Sequence, residues 1–231
     1  MRNYEELKAQ GKIYGFLPKE NIRAFDIKRI DKEIINKLKG LNEVTSELSD
    51  ALDNLGYCSG MTLVPSTILA PLYAGCRAVG TALTQRSCPE KIYNIRERET
   101  RMAKMDAWDV PYLAEPGDIW VIDAKGCECS HFGVTAAKMH KEHGLVGTIV
   151  DGMIRHGESI RLVEYPFWSK GCTPYTGMKR IETIEINGTI TLHNIQVNPG
   201  DLVAADGNGV CVVPREIVED VFDYLCKKSI V

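Results

Sequence analysis

Gly144-Leu-Val-Gly-Thr-Ile-Val-Asp-Gly-Met-Ile-Arg-His156 is the stretch that decides the fold of this chain. It begins as an apolar, β-branched run, which predicts a strand over 146–150 that turns at Asp151-Gly152. Polar side chains at the end of such a strand lie where open α/β sheets build their binding sites. Arg155 follows directly, and its guanidinium offers a rigid pair of donors suited to a carboxylate. The alternative is a surface arginine after a turn.

A strand and a helix precede this stretch. The pattern predicts a buried strand over 119–122 and a helix over 135–143, which Gly144 ends. Strand, helix and strand then form one βαβ unit, which implies a parallel pair of strands. Phe132-Gly133 comes before the helix, and a glycine at this position lets backbone N–H groups face an anion. The sequence therefore predicts an α/β fold with a candidate anion site, and plain helix initiation is the alternative.

Shorter elements fill the rest of the chain. The patterns predict helices over 31–38, 45–55 and 216–226, a strand over 76–86, short strands after Gly171 and a hairpin turn at Asn187-Gly188. Residues 89–109 carry mixed charges, which are typical of a solvated helical insert. His140 is expected at the surface, and His193 is expected within a strand.

Composition excludes several classes of protein. A chain of 231 residues fits one domain with a large core. The net charge of −3 gives no general attraction to nucleic acid or to an anionic membrane. No apolar run approaches the roughly 20 residues of a spanning helix, and the N-terminus lacks the apolar core of a signal peptide. We therefore expect a cytoplasmic protein, in which the eight cysteines are buried small hydrophobes rather than disulfide partners.

Six separated motifs, taken together in their order and spacing, carry a family resemblance. They are Thr45-Ser-Glu-Leu-Ser-Asp-Ala-Leu-Asp-Asn-Leu-Gly56, Pro116-Gly-Asp-Ile-Trp-Val-Ile-Asp123, Phe132-Gly133, Val150-Asp-Gly-Met-Ile-Arg155, Gly171-Cys-Thr-Pro174 and Pro199-Gly-Asp-Leu-Val-Ala-Ala-Asp-Gly-Asn-Gly-Val-Cys-Val-Val-Pro214. The chain resembles the RraA-like proteins and 4-hydroxy-4-methyl-2-oxoglutarate aldolases, which are often mislabelled as demethylmenaquinone methyltransferases. The resemblance implies a swivelling β/β/α domain over 43–231, with residues 1–42 as an N-terminal extension. It also implies a homotrimer or hexamer with sites between subunits.

The resemblance assigns the substrate site to the loop before the helix and to the arginine. The matching loop residues are Gly133, Val134, Thr135 and Ala136. In the aldolases this loop binds the carboxylate and keto oxygen of pyruvate through main-chain N–H groups. Arg155 matches the family's substrate-binding arginine, which would neutralise an oxo-acid and the enolate formed by C–C cleavage. The implied partner is thus a small-molecule carboxylate.

Three acidic elements of the aldolases are replaced or missing. The aldolases hold Mg²⁺ with an aspartate directly after the arginine, whereas this chain has His156. The acidic residue that usually follows the loop glycine is Val134 here, and the acidic position in the C-terminal helix of a neighbouring subunit falls at or beyond Val231. Because Mg²⁺ prefers oxygen ligands, we expect it to bind weakly or not at all. Another divalent metal with His156 as a ligand is the alternative.

Histidine and cysteine offer other chemistry. Cys127, Cys129 and His131 alternate, so in an extended segment they would share one face. With His156 they could form a nitrogen–sulfur set suited to zinc, and buried cysteines near a polar histidine are the alternative. His156 could instead transfer protons, because its reference pKa of about 6.5 suits neutral pH.

Three functions fit these residues. The first is a lyase that cleaves or decarboxylates a small oxo-acid or hydroxy-acid through an enolate held by Arg155 and the Gly133 loop. The second is an enzyme of the same fold that uses His156 for dehydration, isomerisation or epimerisation of a small carboxylate. The third is a non-enzymatic regulator, because RraA itself inhibits an RNA-processing nuclease by protein binding.

Overall fold

A computed structural model describes residues 4–11, 18–91, 110–125 and 127–231. The strands within these ranges are β1 (Leu63–Pro65), β2 (Ala70–Pro71), β3 (Ala78–Pro89), β4 (Asp118–Asp123), β5 (Gly147–Ile154), β6 (Phe167–Cys172), β7 (Ile181–Ile186), β8 (Ile190–Leu192), β9 (Ile195–Val197), β10 (Leu202–Asp206) and β11 (Gly209–Val213). The α-helices are α1 (Tyr4–Ala9), α2 (Lys32–Lys39), α3 (Val44–Asn54), α4 (Val110–Leu113), α5 (Val134–Glu142), α6 (Gly157–Val163) and α7 (Val218–Lys227). Single 3-10 turns lie at Lys19–Asn21, Ser59–Met61 and Arg215–Ile217. None of the described helices is long and apolar enough to cross a membrane.

A mixed sheet forms the centre of the described molecule. Its strand order is β1-β11-β10-β3-β4-β5-β6-β2, and β7 also pairs with β3. The four strands β3, β4, β5 and β6 run parallel to one another. The predicted βαβ unit is therefore confirmed as β4, α5 and β5. The carboxyl ends of β4 and β5 meet at one edge, with Asp123 opposite Asp151.

Both faces of the sheet are covered, so β4 is buried along its whole length. Trp120 and Ile122 pack towards α5, in a cluster that also holds Ala137. Ile119 and Val121 point to the opposite face, where they pack with the β8–β9 hairpin. This alternation along one strand sends successive side chains to different clusters.

The helices α2, α3 and α7 pack over β10 and β11 in a third cluster. Asp31 caps α2 by accepting the N–H of Glu33 at 2.7 Å. The chain just before α2 is anchored by an ion pair, in which Arg29 Nη2 lies 2.9 Å from the buried carboxylate of Asp118. The segment before residue 43 thus contributes side chains to the core, including Ile34 and Leu38.

The predicted turn at Asp151-Gly152 is wrong. These residues belong to β5, which continues to Ile154, and the turn follows at His156. The register between β5 and β6 shifts between Val150 and Met153, which marks a β-bulge or irregularity at this point. A local Asp-Gly turn signal is overridden here, because Asp123 of β4 continues the ladder at Asp151.

The predicted hairpin at Asn187-Gly188 is also wrong. The strand before it, β7, pairs with β3, and the strand after it, β8, pairs with β9. The observed hairpin turns at His193 and Asn194, and His193 has a positive φ of 51° instead of lying in a strand. The strand β3 is 12 residues long, and β10 pairs only with its first part, at residues 78–81. The second part of β3 is therefore free to pair with β7, which lies far along the chain.

Several other predictions can be compared with the described residues. Four predicted helices are confirmed, and each end lies within about two residues of its predicted position. They are the helices predicted at 31–38, 45–55, 135–143 and 216–226. Most of the charged insert, at 92–109, lies outside the described residues. His140 is buried rather than exposed, because its ring stacks on Trp120 with centroids 4.6 Å apart. Cys76, Cys127 and Cys211 are buried thiols as expected, whereas Cys58, Cys172 and Cys226 are exposed.

Candidate functional site

The N-terminus of α5 supplies a set of backbone donors. Gly133 is the N-cap residue, and it makes no side-chain hydrogen bond that would cap the helix. The carbonyl of Gly133 accepts the N–H of Ala137 at 3.1 Å, which begins the helical bonding. The N–H groups of residues 134–136 precede that bond, so the helix itself offers them no acceptor. Together with the positive end of the helix dipole they suit an anion.

Arg155 lies directly against this helix terminus. Its backbone N–H donates to the carbonyl of Phe132 at 3.0 Å. A Cβ atom added to Gly133 would lie 3.8 Å from Arg155 Cγ and 3.2 Å from His156 Nδ1. The structure therefore brings together the loop glycine, the arginine and the histidine that the sequence singled out. Arg155 is half-buried, so its guanidinium can be reached by a small molecule.

His156 owes its position to an unusual backbone conformation. Its φ of 63° and ψ of 34° are left-handed, which is uncommon for a residue other than glycine. The carbonyl of His156 accepts the N–H of Ile160 at 2.9 Å, so the residue starts α6 immediately after β5 ends. This tight connection holds the exposed imidazole beside Gly133. Backbone strain of this kind concentrates at functional sites.

The loop residues after Gly133 contribute in different ways. Val134 is half-buried, Thr135 is exposed and Ala136 is buried in the cluster beneath α5. Ala136 can therefore offer only its backbone N–H, whereas Thr135 presents its side chain to solvent. The candidate anion site suggested by the sequence would therefore consist of backbone donors and of Arg155.

The structure does not gather the four residues of the zinc alternative, Cys127, Cys129, His131 and His156, into a metal-binding group. Among the residues that the structure describes, no group of three or more His, Cys, Asp or Glu side chains is arranged to hold a metal ion. His131 is buried whereas His156 is exposed. The two histidines therefore have different surroundings, although the alternation of residues 127, 129 and 131 suggested a shared face. Burial raises the pKa of the Cys127 thiol to about 12.

The donor set at the site also does not fit Mg²⁺. Val134 is apolar, and His156 offers a nitrogen atom where the aldolases are expected to have a carboxylate. Mg²⁺ requires oxygen ligands in near-octahedral geometry.

A charged pair that the sequence did not reveal involves Asp151, four residues before Arg155 in the chain. Asp151 is fully buried, and its carboxylate forms an ion pair with Lys170 of β6. The other oxygen, Oδ2, accepts the backbone N–H of His193 at 2.8 Å. The sequence does show Lys170 as a charged residue just after the apolar run 165–168. It does not show that Asp151 is the partner of this lysine.

The described residues define an α/β protein in which the N-terminus of a helix lies beside an arginine at the end of a parallel strand. The family model described as RraA-like, Aldolase/RraA, matches residues 45–212. The chain belongs to this family.

Relatives with sequence similarity differ in length. The protein of Halalkalibacterium halodurans named "Putative 4-hydroxy-4-methyl-2-oxoglutarate aldolase" is 33% identical over 186 residues, which cover 80% of this chain and 79% of that protein. Protein DlpA of Legionella pneumophila is 28% identical over 211 residues, which cover 91% of this chain. The match spans only 32% of DlpA, about one third of its length.

Solved structures show the same fold. Streptomyces coelicolor RraAS2, described as an unusual member of the RNase ES inhibitor RraA protein family, superposes with a TM-score of 0.71 at 24% identity, covering 88% of this chain and 96% of that chain. The RNA-processing inhibitor RraA from Thermus thermophilis gives a TM-score of 0.53 at 20% identity, covering 74% and 92%. The expected RraA-like α/β fold is thus confirmed.

Proposed function

We propose that this chain is a carbon–carbon lyase that acts on a small oxo-acid or hydroxy-acid. The observation that carries the proposal is the contact of Gly133, at the N-terminus of α5, with Arg155 and His156. Family membership and the name of the Halalkalibacterium relative support the reaction class. The assembly of backbone donors and one arginine supports an oxo-acid ligand.

Arg155 and the backbone of α5 bind different groups of the substrate. The guanidinium of Arg155 pairs with the substrate carboxylate through two parallel hydrogen bonds. The N–H groups of residues 134–136 donate to the keto oxygen. When the C–C bond breaks, its electron pair moves towards this oxygen and forms an enolate. The donors are then aimed at the atom where negative charge develops, which lowers the barrier to cleavage.

The substitution Arg155→Lys tests the binding half of the proposal. Lysine keeps the charge but lacks the two-pronged geometry, so we expect pyruvate and oxaloacetate to bind about tenfold more weakly in calorimetry. Arg161→Lys is the matched control, because Arg161 is an exposed arginine of α6 whose ion pair is with Glu158. Equal affinity of the Arg155 variant and the wild type would contradict the proposal. If the wild-type protein binds neither acid, the non-enzymatic alternative is favoured.

We further propose that His156 moves the proton in this reaction. Retro-aldol cleavage removes a proton from the substrate hydroxyl and returns one to the enolate carbon, and an imidazole can do both near neutral pH. The location of Nδ1, 3.2 Å from the Cβ position of Gly133, favours this role. The same residue would serve dehydration, isomerisation or epimerisation if the substrate lacks a cleavable bond.

The substitution His156→Asn separates proton transfer from binding. Asparagine tolerates the left-handed backbone, so the turn into α6 is preserved. We expect pyruvate affinity to be retained, while exchange of the pyruvate methyl protons for deuterium, followed by NMR, slows by about a hundredfold or more. His143→Asn, on the far end of α5, is the control. An unchanged exchange rate in the His156 variant would remove this residue from the mechanism.

A further inference from the structure

We propose that a second cavity, beside Asp151 and Lys170, is an anion site for a small molecule that carries a carboxylate or phosphate group. The cavity has a volume of about 620 Å³. This volume lies within the range of sites for small molecules. Its lining includes Glu128, Cys129, Gly152, Lys170, Tyr175 and Arg180. The inference concerns different side chains from those of the proposed lyase site and does not depend on it.

Lys170 is held in the cavity wall as a cation. The carboxylate of Asp151 beneath it is fully buried, and one of its oxygens is paired with the lysine. An ammonium group has three donors, and the side chain of Lys170 is 40% exposed. Donors not used by Asp151 can therefore reach a ligand in the cavity.

Arg180 brings a second positive charge to the same cavity. Its Nη1 donates to the carbonyl of Thr176 at 2.9 Å, which fixes the plane of the guanidinium. The thiol of Cys129 lies close enough for the charge of Arg180 to counteract part of the rise that burial causes in the pKa of this thiol. Two cations in a concave, partly desolvated setting attract an oxyanion more strongly than they would in open solvent.

The cavity walls are fixed before any ligand arrives. The N–H of Ser130 donates to the carbonyl of Tyr175 at 2.9 Å, and the N–H of Glu90 donates to the carbonyl of Arg180 at 2.8 Å. The loop between β6 and β7 is thus tied at both ends to other parts of the chain. A preformed site loses little conformational entropy on binding.

This cavity is separate from the Gly133 pocket because β5 has two faces. Val150 and Ile154 point into the cluster that lies under α5. Asp151 alternates with them and points to the other face, where it meets the backbone of His193 in the β8–β9 hairpin. Glu128 is exposed at the cavity and adds a negative charge. This charge opposes part of the attraction that Lys170 and Arg180 exert on an anion.

Calorimetric titration with inorganic phosphate, and separately with succinate, tests the site at constant ionic strength. Because Lys170→Met alone would leave Asp151 buried without its cation, the principal variant is the double substitution Asp151→Asn with Lys170→Met. We expect at least one anion to bind wild-type protein and to bind the double variant about tenfold more weakly or worse. Lys37→Met, which removes an exposed lysine of α2, is the control for charge and should match wild type.

The outcomes separate the two sites. Binding of phosphate alone identifies a phosphate group as the ligand chemistry, and binding of succinate alone identifies a carboxylate. Because the Gly133 site is itself proposed to bind carboxylates, the component of anion binding that the double variant loses should persist in Arg155→Lys. Loss of all anion binding in Arg155→Lys but not in the double variant would assign the anion to the Gly133 site and overturn the inference. Absence of binding by both anions to the wild-type protein would overturn it as well.

Discussion

His131 is a buried histidine whose ring cannot easily accept a proton. It lies two residues before Gly133, and its backbone N–H donates to the carbonyl of Met153 at 3.0 Å. Burial lowers the pKa of the ring from 6.5 to about 4, and a backbone contact with Cys129 opposes this only in part. The folded protein therefore keeps His131 neutral at pH values where an unfolded chain would already protonate it.

This difference predicts a loss of stability in acid. Above pH 6.5 both states are neutral at this residue, and its contribution to the free energy of unfolding is constant. As the pH falls from 6.5 towards 4, the unfolded state binds a proton that the folded state does not. Protonation of His131 in the unfolded state therefore lowers the free energy of unfolding by about 1.4 kcal/mol per pH unit, to a total of about 3 kcal/mol. Urea unfolding at pH 7.5, 6, 5 and 4 measures the slope.

The control for this prediction is another histidine. In His131→Gln the contribution between pH 6.5 and 4 should disappear, whatever the loss of stability at neutral pH. His193→Asn should keep the wild-type slope, because His193 lies in a hairpin turn with positive φ that asparagine accepts. A slope unaffected by His131→Gln would show that other groups cause the acid response.

Individual site residues were predicted unevenly. Gly133, Arg155 and His156 could be selected from the sequence, because a helix-initiating glycine and a strand-end arginine carry local signals. The pair of Asp151 and Lys170 could not, because the two residues are 19 positions apart and meet only through the pairing of β5 and β6.

At the scale of elements, the approach of β3 to β4 depends on Gly80. A Cβ atom on this residue would overlap the backbone carbonyl of Gly117 and lie 3.0 Å from Ile119 Cγ1 and 3.1 Å from Val146 Cγ2. The carbonyl belongs to the turn before β4 and cannot move without shifting the strand. The close approach explains a glycine in the middle of a buried strand.

The substitution Gly80→Ala should accordingly destabilise the sheet. We expect the free energy of unfolding in urea to fall by about 3 kcal/mol, because the methyl group overpacks against backbone. Gly207→Ala is the control, since a Cβ atom there meets nothing within 4 Å and its φ is not positive. A loss of less than about 0.5 kcal/mol for Gly80→Ala would show that the two strands adjust freely.

Helices were predicted more accurately than strand pairings. The period of apolar residues defines a helix within its own sequence, and α2, α3, α5 and α7 lie close to their predicted positions. The partner of a strand is not defined in this way. β7 and β3 pair across about 95 residues, so a local turn signal at Asn187 led to the wrong hairpin.

At the scale of the whole molecule, we expect a homotrimer or a hexamer with each lyase pocket walled by two subunits. Within the described chain, α5 and Arg155 form one side of the pocket. Leu162 of α6, close along the chain to His156, has 85% of its surface exposed. A large apolar side chain in such a position is suited to an interface. A second subunit would exclude water and strengthen the electrostatic interactions in the pocket.

Light scattering tests the assembly. Wild-type protein should show three or six times the mass of one 25.7 kDa chain. Leu162→Glu should lower the mass and weaken pyruvate binding together, because a charge replaces an apolar contact. Met61→Glu, at another exposed apolar side chain, is the matched control. A single-chain mass combined with full ligand binding would be incompatible with a shared pocket.

The sequence by itself determined the α/β class, the βαβ unit and the helix positions, and it nominated Gly133, Arg155 and His156 as a candidate site. These features depend on periodicity, on turn residues and on motifs that lie close together in the chain. The tertiary structure decided which strands pair, how far β5 extends and that Asp151 is buried beneath Lys170. It also decided that Cys127, Cys129, His131 and His156 do not gather around a metal. The physical reason is that burial and long-range pairing depend on the packing of distant segments, which no short stretch of sequence encodes.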